Sequence, residues 1–379
     1  MKMRTAACVL LVAAAGARTA PHAAPRPVAK AYDSAYLGDT ALLIAEARAV
    51  ITRLDPHYLS DPIAQHVVGE RRVAKRIEAI RSGRVSAASL GRIAVRVRFF
   101  DREVEAFAGR HRRCQVVLLG AGYDARAQRL YLGPGCGVFA CDAPAVIRRR
   151  RRCGPLARAR LRCGFLAHVA CDLCAPQWIE ALRRAPGYDA SLPTCFVAEG
   201  LFYYLDPGDV AALVSAVAAE AAPGSRLLAS LISRGALERA RGRGAPLSSF
   251  RWGVDKPLRF LRRRGCGRGR IYELGRAPCD DWWKRHPPRD VRPFRRFKGD
   301  APRTWYASVR LGGGRRPRAP PPPRAAKIPW SADAAATLAR VPFFVRGLVE
   351  RKTEAYAAAA NSRVITAEVL AAAKAHNGR

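Results

Sequence analysis

Apolar positions along the chain keep two different rhythms. Between Tyr32 and about Arg110 they recur at helical spacing, over Ala41–Val50 and again over Val67–Ile80. The stretch "LDPHYLSDP", with its two prolines, breaks that run. After Gln115 the period shortens. Apolar runs at Val116–Leu119, Val138–Cys141, Ala167–Ala170, Cys195–Ala198 and Leu227–Ile232 predict strands, with helices over Ala143–Arg152, Pro176–Arg184 and Pro207–Ala222 between them. Pro207 suits a first helical turn, and "APGS" closes that helix. Such alternation predicts an α/β fold, a doubly wound and mostly parallel sheet under a helical N-terminal cover. Beyond Ser233 an Arg/Gly-rich loop is expected. A helix over Pro257–Arg264 and strands at Arg270–Leu274 and Thr304–Leu311 follow it.

The pattern then stops. "GGGRRPRAPPPPRAAK", Gly312 to Lys327, predicts a stiff, extended linker. From Trp330 the helical period returns: Val341, Phe344, Val345, Leu348 and Val349 fall at i, i+3, i+4, i+7 and i+8. Ser331 and Thr366 are candidate N-caps there, and Gly378 a stop. The expected organisation is therefore a leader over 1–30, a main domain over 31–312, a linker over 313–328 and a small all-α module over 329–379.

Composition changes this picture little. At 379 residues and 49% hydrophobic, the chain can bury a sizeable core, and no apolar run reaches the ~18 residues of a spanning helix. Sixty-seven Lys and Arg against 30 acids give a net charge of +37. The excess is spread along the chain without the interleaved aromatics of a base-stacking platform, so no specific nucleic-acid partner is expected. Arg148–Arg152 is expected to be the solvated end of a helix. Eleven cysteines without metal-site spacing predict free thiols and no metal. The first thirty residues begin basic, hold a short apolar stretch from Ala6 to Gly16 and have no acid. They suit a plastid transit address, with a secretory or cytoplasmic location as the alternative.

Chemistry gathers at "QVVLLGAGYDARAQRL", Gln115 to Leu130. Gly120-Ala-Gly122-Tyr-Asp-Ala125 fits the dinucleotide fingerprint, which leaves a nicotinamide-dependent oxidoreductase open. Asp124 argues against it, because a carboxylate at a helix N-terminus takes or repels the place of a phosphate. An adenosine carrying a positive centre and no phosphate fits better, and S-adenosyl-L-methionine is such a ligand. Asp142, 20 residues beyond Gly122, is placed to accept ribose hydroxyls; Asp172 could accept from an adenine amino group. With Glu199, these acids close three consecutive strands at one sheet edge.

The ordered set "VRFFDREVEAF", "QVVLLGAGYDARAQRL", "FACDAP", "VACDL" and "AEGLFYYL", with "DPIAQHVV" and "TWYASVR", resembles the leucine carboxyl methyltransferase family, bacterial-type branch, over roughly Tyr32 to Leu311. The resemblance implies a class I methyltransferase Rossmann-like fold of seven strands with S-adenosyl-L-methionine as cofactor. It places Gly120, Gly122 and Asp124 at the cofactor turn, Asp142 at the ribose, Asp172 and Leu173 at the adenine and Glu199 near the methionine end. Arg96 would pair with the cofactor carboxylate, with Arg98 as the alternative because Val97 stands where the family commonly has Thr. Arg48 matches a basic residue near the active site. No catalytic residue is assigned; Tyr203 and Tyr204 are candidates to line an acceptor pocket, and the Arg234–Gly244 loop to border it. The expected reaction is methyl transfer to an oxygen of a carboxylate on a small molecule or a protein C-terminus, which is ionised at neutral pH and needs no base.

Trp330 to Arg379 is similar to the small C-terminal domain of the light-independent protochlorophyllide reductase B subunit, in "WSADA", "LARVPFFVR", "EAYA" and "ITAEV". That resemblance implies a protein partner for the module and a link to plastid tetrapyrrole (chlorophyll) synthesis, without the reductase's catalytic part. A pseudoenzyme scaffold docking through this module is the remaining alternative.

Overall fold

The computed structural model describes residues 34–85, 88–241, 249–275, 281–286 and 303–312, together with parts of 328–377. The leader over 1–30, residues 313–327, the stripe positions Val341, Phe344, Val345 and Leu348, and Gly378 lie outside the described residues. Two compact units divide the chain, Met1–Pro317 and Arg318–Arg379.

Helices open the first unit: α1 Ser34–Leu54, α2 Pro62–Val68, α3 Glu70–Arg81 and α4 Ala88–Ala108. The break at "LDPHYLSDP" has a local cause. Asp61 caps α2, its carboxylate accepting the Ala64 N–H at 2.9 Å, and Pro62 sits in the first turn, where its missing N–H costs nothing. The α/β part follows as β1 Cys114–Leu119, α5 Arg126–Arg129, β2 Gly133–Asp142, α6 Pro144–Arg152, α7 Gly154–Arg158, β3 Cys163–Ala170, α8 Trp178–Arg183, β4 Thr194–Ala198, α9 Pro207–Glu220 and β5 Arg226–Ile232. It closes with α10 Arg234–Arg241, α11 Pro257–Arg262, β6 Gly269–Glu273, α12 Trp282–Arg285 and β7 Thr304–Arg310.

The strands form one seven-stranded sheet in the order β3-β2-β1-β4-β5-β7-β6. Strands β1 to β5 run parallel, and β7 is antiparallel to both its neighbours. This is the class I methyltransferase Rossmann-like arrangement expected from the sequence. Strand side chains alternate between two buried layers, as the period of two requires. Val116, Leu118, Val138, Ala140, Cys195 and Val197 pack with α1, α3 and α4. Val117, Leu119, Phe139, Cys141, Phe196 and Ala198 pack with α8, α9 and α11. A continuous apolar run with both faces covered is thus the right sequence for a central strand. The order of strands across the sheet reverses between β1 and β4, which opens a crevice at their carboxyl ends.

Two expectations need correction. Residues 234–241 are helix, not loop: Ser233 Oγ accepts the Ala236 N–H at 3.1 Å, and Leu237 and Ala240 bury one face. Arginine and glycine content hid those two apolar anchors. The Arg148–Arg152 run is not wholly solvated either, because helical spacing turns Arg150 inward, to 1% exposure.

The second unit contains α13 Ala332–Ala339 and α14 Ala367–Asn377. Ser331 Oγ accepts the Ala334 N–H at 3.3 Å and Thr366 Oγ1 the Val369 N–H at 3.4 Å, so both capping residues stand where expected. Trp330 bridges Ile365, and Ala334, Ala357 and Ile365 form a small core. No described helix is long and apolar enough to cross a membrane.

Candidate active site

A cavity of about 540 Å³ opens at the carboxyl ends of the parallel strands, with α1 and α4 beside it. Gly120, Gly122, Asp124, Asp142, Asp172, Leu173, Glu199, Arg96, Arg48, Tyr203 and Tyr204 all line it. Arg98 does not: it donates to the carbonyls of His57 and Tyr58 and lies 4.5 Å over the Tyr58 ring. Of the two arginines, Arg96 is the one that faces the crevice. The segment over 234–241 is absent from the lining.

The turn after β1 is shaped by its own hydrogen bonds. The Gly120 and Ala121 amides donate to Cys141 O at 2.9 and 3.1 Å, and the Asp124 amide to Ala121 O at 2.8 Å. The Gly122 amide donates to Asp142 Oδ2 at 2.8 Å, and the Arg126 amide to Asp124 Oδ1 at 2.7 Å. A phosphate site needs several free amides converging on one point, and these are all engaged. Gly122 is required: its φ is +45°, and a Cβ there would stand 2.9 Å from Ala41 Cβ on α1. Its carbonyl accepts from Arg150 Nη1 at 3.0 Å, so the buried Arg150 holds the turn from behind.

Asp142 keeps capacity for more. Its Oδ1 accepts the Ala143 N–H at 2.7 Å and its Oδ2 the Gly122 N–H, which leaves lone pairs on both oxygens for a vicinal diol. Burial pushes its pKa up, and the two amide bonds and the Arg150 charge offset only part of that. Asp172 Oδ1 accepts the Cys174 N–H at 2.9 Å, and Leu173 beside it is buried.

Asp124 takes the Arg126 amide at the start of α5, a place that an anion would otherwise use. It is also tied to the Arg126 guanidinium, so its charge is compensated. Arg126, 2% exposed, is the hub of a buried ionic network. Nε meets Asp101 at 2.8 Å, Nη1 meets Asp124, and Nη2 meets Glu199 at 2.6 Å. Arg129 meets Asp101 at 2.6 Å, Arg48 meets Asp61 at 2.8 Å and donates to Tyr123 O at 2.6 Å, and Arg96 meets Glu199 at 2.9 Å. Four guanidiniums thus balance four carboxylates: Asp61, Asp101, Asp124 and Glu199. Burial alone would raise the pKa of Asp124 and Glu199; the facing arginines outweigh it, and both are lowered. Asp124, Glu199 and Asp101 raise Arg126, and Tyr203 and Glu199 raise Arg96, each against its own desolvation.

Sequence reasoning assigned no role to Arg126, Arg129, Asp101, Asp61 or Arg150. The first four lie inside the very stretches that carry the resemblance, "GYDARAQRL", "VRFFDREVEAF" and "DPIAQHVV", which was the available signal. Arg150 was hidden in a run of five arginines.

Comparison with known proteins agrees with the geometry. The model of leucine carboxyl methyltransferase matches residues 41–218, and that of the proto-chlorophyllide reductase 57 kD subunit matches residues 330–374. A protein of Saccharopolyspora erythraea named "putative S-adenosyl-L-methionine-dependent methyltransferase" is 36% identical over 229 residues, covering 58% of this chain and 75% of that protein. One of the same name from Mycobacterium tuberculosis H37Rv is 37% identical over 205 residues, 50% of this chain; the alignment spans only 57% of that relative's length. A solved Thermobifida fusca structure, also named a methyltransferase, is 17% identical with a TM-score of 0.42, over 70% of this chain and 94% of that one. The chain belongs to the leucine carboxyl methyltransferase family, whose cofactor is S-adenosyl-L-methionine.

Proposed function

We propose that the chain is an S-adenosyl-L-methionine-dependent O-methyltransferase whose acceptor is a carboxylate on a small molecule. The observation that carries the cofactor half is the Gly122 amide held by Asp142 at 2.8 Å, a cradle that presents lone pairs to a ribose and, with the Gly120, Ala121 and Asp124 amides, is already engaged within the protein. For the same reason a nicotinamide dinucleotide is not favoured. In this reading Asp142 takes the ribose hydroxyls, Asp172 and Leu173 the adenine, and Arg96 the cofactor carboxylate through the Nη2 group that its Glu199 and Tyr203 bonds leave free. Gly120, Gly122 and Asp124 give the turn its shape.

The cofactor supplies an electrophilic methyl on a sulfonium. The protein then has to position the acceptor oxygen and keep its own nucleophiles away. Glu199 lines the cavity, and a free carboxylate there would compete with the acceptor. Its oxygens are held by Arg96 and Arg126, and its lowered pKa makes it a weak nucleophile. No histidine or lysine is among the described lining residues. A carboxylate acceptor suits such a site, because it is ionised at pH 7 without help.

Titrating the full chain with S-adenosylhomocysteine and with NADPH tests the reading. At about 100 times its dissociation constant the first should stabilise the fold by roughly 2.7 kcal/mol and the second not at all; the reverse result sinks it. Methyl-labelled cofactor added to a whole-cell extract would then show whether the label enters a base-labile ester. The leader and the match at residues 330–374 support a further proposal: a plastid location, with the C-terminal module docking a partner near tetrapyrrole synthesis. Imaging the full chain fused to a fluorescent protein tests the location.

A further inference from the structure

The glycine half of the cleft is polar; the half over β4, β5 and β7 carries Ser230 and Thr304 but is mostly aromatic and aliphatic. Tyr203, Tyr204, Phe250, Ile232, Leu274 and Tyr306 line it. From this contrast, and resting on the methyltransferase reading above, we propose that this half is the acceptor subsite. It takes a small monocarboxylic acid with an apolar or aromatic body, and the Tyr203 hydroxyl donates to the acid.

The local fold builds the subsite. The chain leaves β4 through Glu199 and Gly200 into one 3-10 turn, Phe202–Tyr204. Phe202 enters the core, whereas Tyr203 and Tyr204 face the cavity. Tyr203 O accepts the Arg251 N–H at 2.7 Å, which brings Phe250 against both rings. The Tyr203–Phe250 centroids are 4.5 Å apart, Tyr204–Phe250 5.0 Å and Tyr203–Tyr204 5.1 Å. Ile232 and Leu237 back the cluster. Three mutually packed rings give a rigid apolar wall.

One polar group of that wall is paired with a cation. The Tyr203 hydroxyl accepts from Arg96 Nη1 at 3.0 Å, and no described residue accepts its proton in return. The residue is 6% exposed. A buried hydroxyl that accepts from a cation and has a proton left over is a charge-assisted donor waiting for an anion. Gly200 leaves it space: a Cβ there would come within 3.3 Å of the hydroxyl and 3.7 Å of both Arg96 terminal nitrogens. Arg96 is already balanced by Glu199, so the Tyr203 hydroxyl offers an anion one hydrogen bond and not a free positive charge. The cavity volume of about 540 Å³ is that of a small-molecule site. In the step itself an acceptor oxygen bonds the methyl carbon, the carbon–sulfur bond breaks with its electron pair left on sulfur, and no proton moves. Methyl ester and S-adenosylhomocysteine are the products.

Calorimetry on the full chain saturated with S-adenosylhomocysteine, using phenylacetate, octanoate, phenylacetamide and citrate as probes, tests this. Both monoacids should bind, phenylacetate about ten-fold or more tighter than its amide or citrate. Tyr203→Phe, measured at saturating S-adenosylhomocysteine, should erase the preference for acid over amide, and Tyr204→Phe should keep the preference. The inference is overturned if neither monoacid binds, if citrate binds as tightly, or if Tyr203→Phe keeps the preference. Because the wild-type probe panel needs no variant, a poorly folding Tyr203→Phe chain does not shield the idea. Failure of S-adenosylhomocysteine itself to bind would instead remove the methyltransferase reading, and this inference with it.

Discussion

At the β1–β2 end of the cleft the wall is backbone: Gly120, Ala121 and Gly122 donate to Cys141 O and to Asp142, and Arg150 holds the Gly122 carbonyl. At the β4–β5–β7 end the wall is side chain, a set of aromatic rings in which the Tyr203 hydroxyl is paired with Arg96. Between them stands Glu199, neutralised by Arg96 and Arg126. The difference is physical. A cofactor of fixed shape is gripped by backbone geometry that tolerates few substitutions, whereas rings can be exchanged to suit another acceptor with little disturbance to the turn. The ionic network carries no ligand specificity of its own, but it fixes α4, α5 and the strand ends in one geometry, so both halves depend on it.

Breaking the hub should have the largest effect. Arg126→Met keeps the volume but leaves Asp101, Asp124 and Glu199 with an uncompensated buried charge, and urea unfolding at pH 7 should show a loss of about 3–5 kcal/mol. The pH dependence sharpens this. In the folded protein the carboxyls of Asp124 and Glu199 are held below their ordinary pKa values of 3.8 and 4.5. Their contribution is therefore present above those values and lost as pH falls through the folded ones. Wild-type stability should hold from pH 8 to about 5 and fall below about 4, and the gap to Arg126→Met should narrow on acidification. An Arg126→Met chain as stable as wild type at pH 7 would show that the network is not what holds the halves together.

Gly122→Ala comes next. Positive φ and the 2.9 Å approach to Ala41 should cost about 1–3 kcal/mol and remove most S-adenosylhomocysteine affinity, measured by melting and calorimetry. Asp142→Asn should separate function from stability. Burial raises the pKa of Asp142, so its stabilising share is present only below its unfolded pKa and is lost as pH rises through the folded one; at pH 7 its ionised form is a liability. The variant should melt no lower than wild type, yet bind S-adenosylhomocysteine about ten-fold more weakly. Smallest of all, Arg98→Ala should change that affinity less than two-fold, because Arg98 faces Tyr58 and not the cleft; a large loss would mean that the two arginines exchange roles.

The strands, their order of appearance, the helical cover and the caps at Ser331 and Thr366 were carried by local signals: a period of two against 3.6, glycine where φ is positive, a hydroxyl before a helix. Residues 234–241 misled because eight residues rich in arginine and glycine hold only two apolar anchors, and their helix depends on what Leu237 and Ala240 meet across the fold. The cofactor turn was legible for the same local reason, since a glycine that must bend and an acid that must end a strand are properties of a few adjacent residues.

What the sequence by itself determined was which residues reach the carboxyl edge of the sheet, because strand period and strand ends place them there. Only the tertiary structure decided what each then does. It pairs Arg126 with Asp101 and Glu199, 25 and 73 residues away, turns Arg96 inward and Arg98 outward, and aims the Tyr203 hydroxyl at Arg96 across 107 residues. Charge pairing and hydrogen bonding act over a few ångströms of space and are blind to distance along the chain, so no spacing in the sequence encodes them.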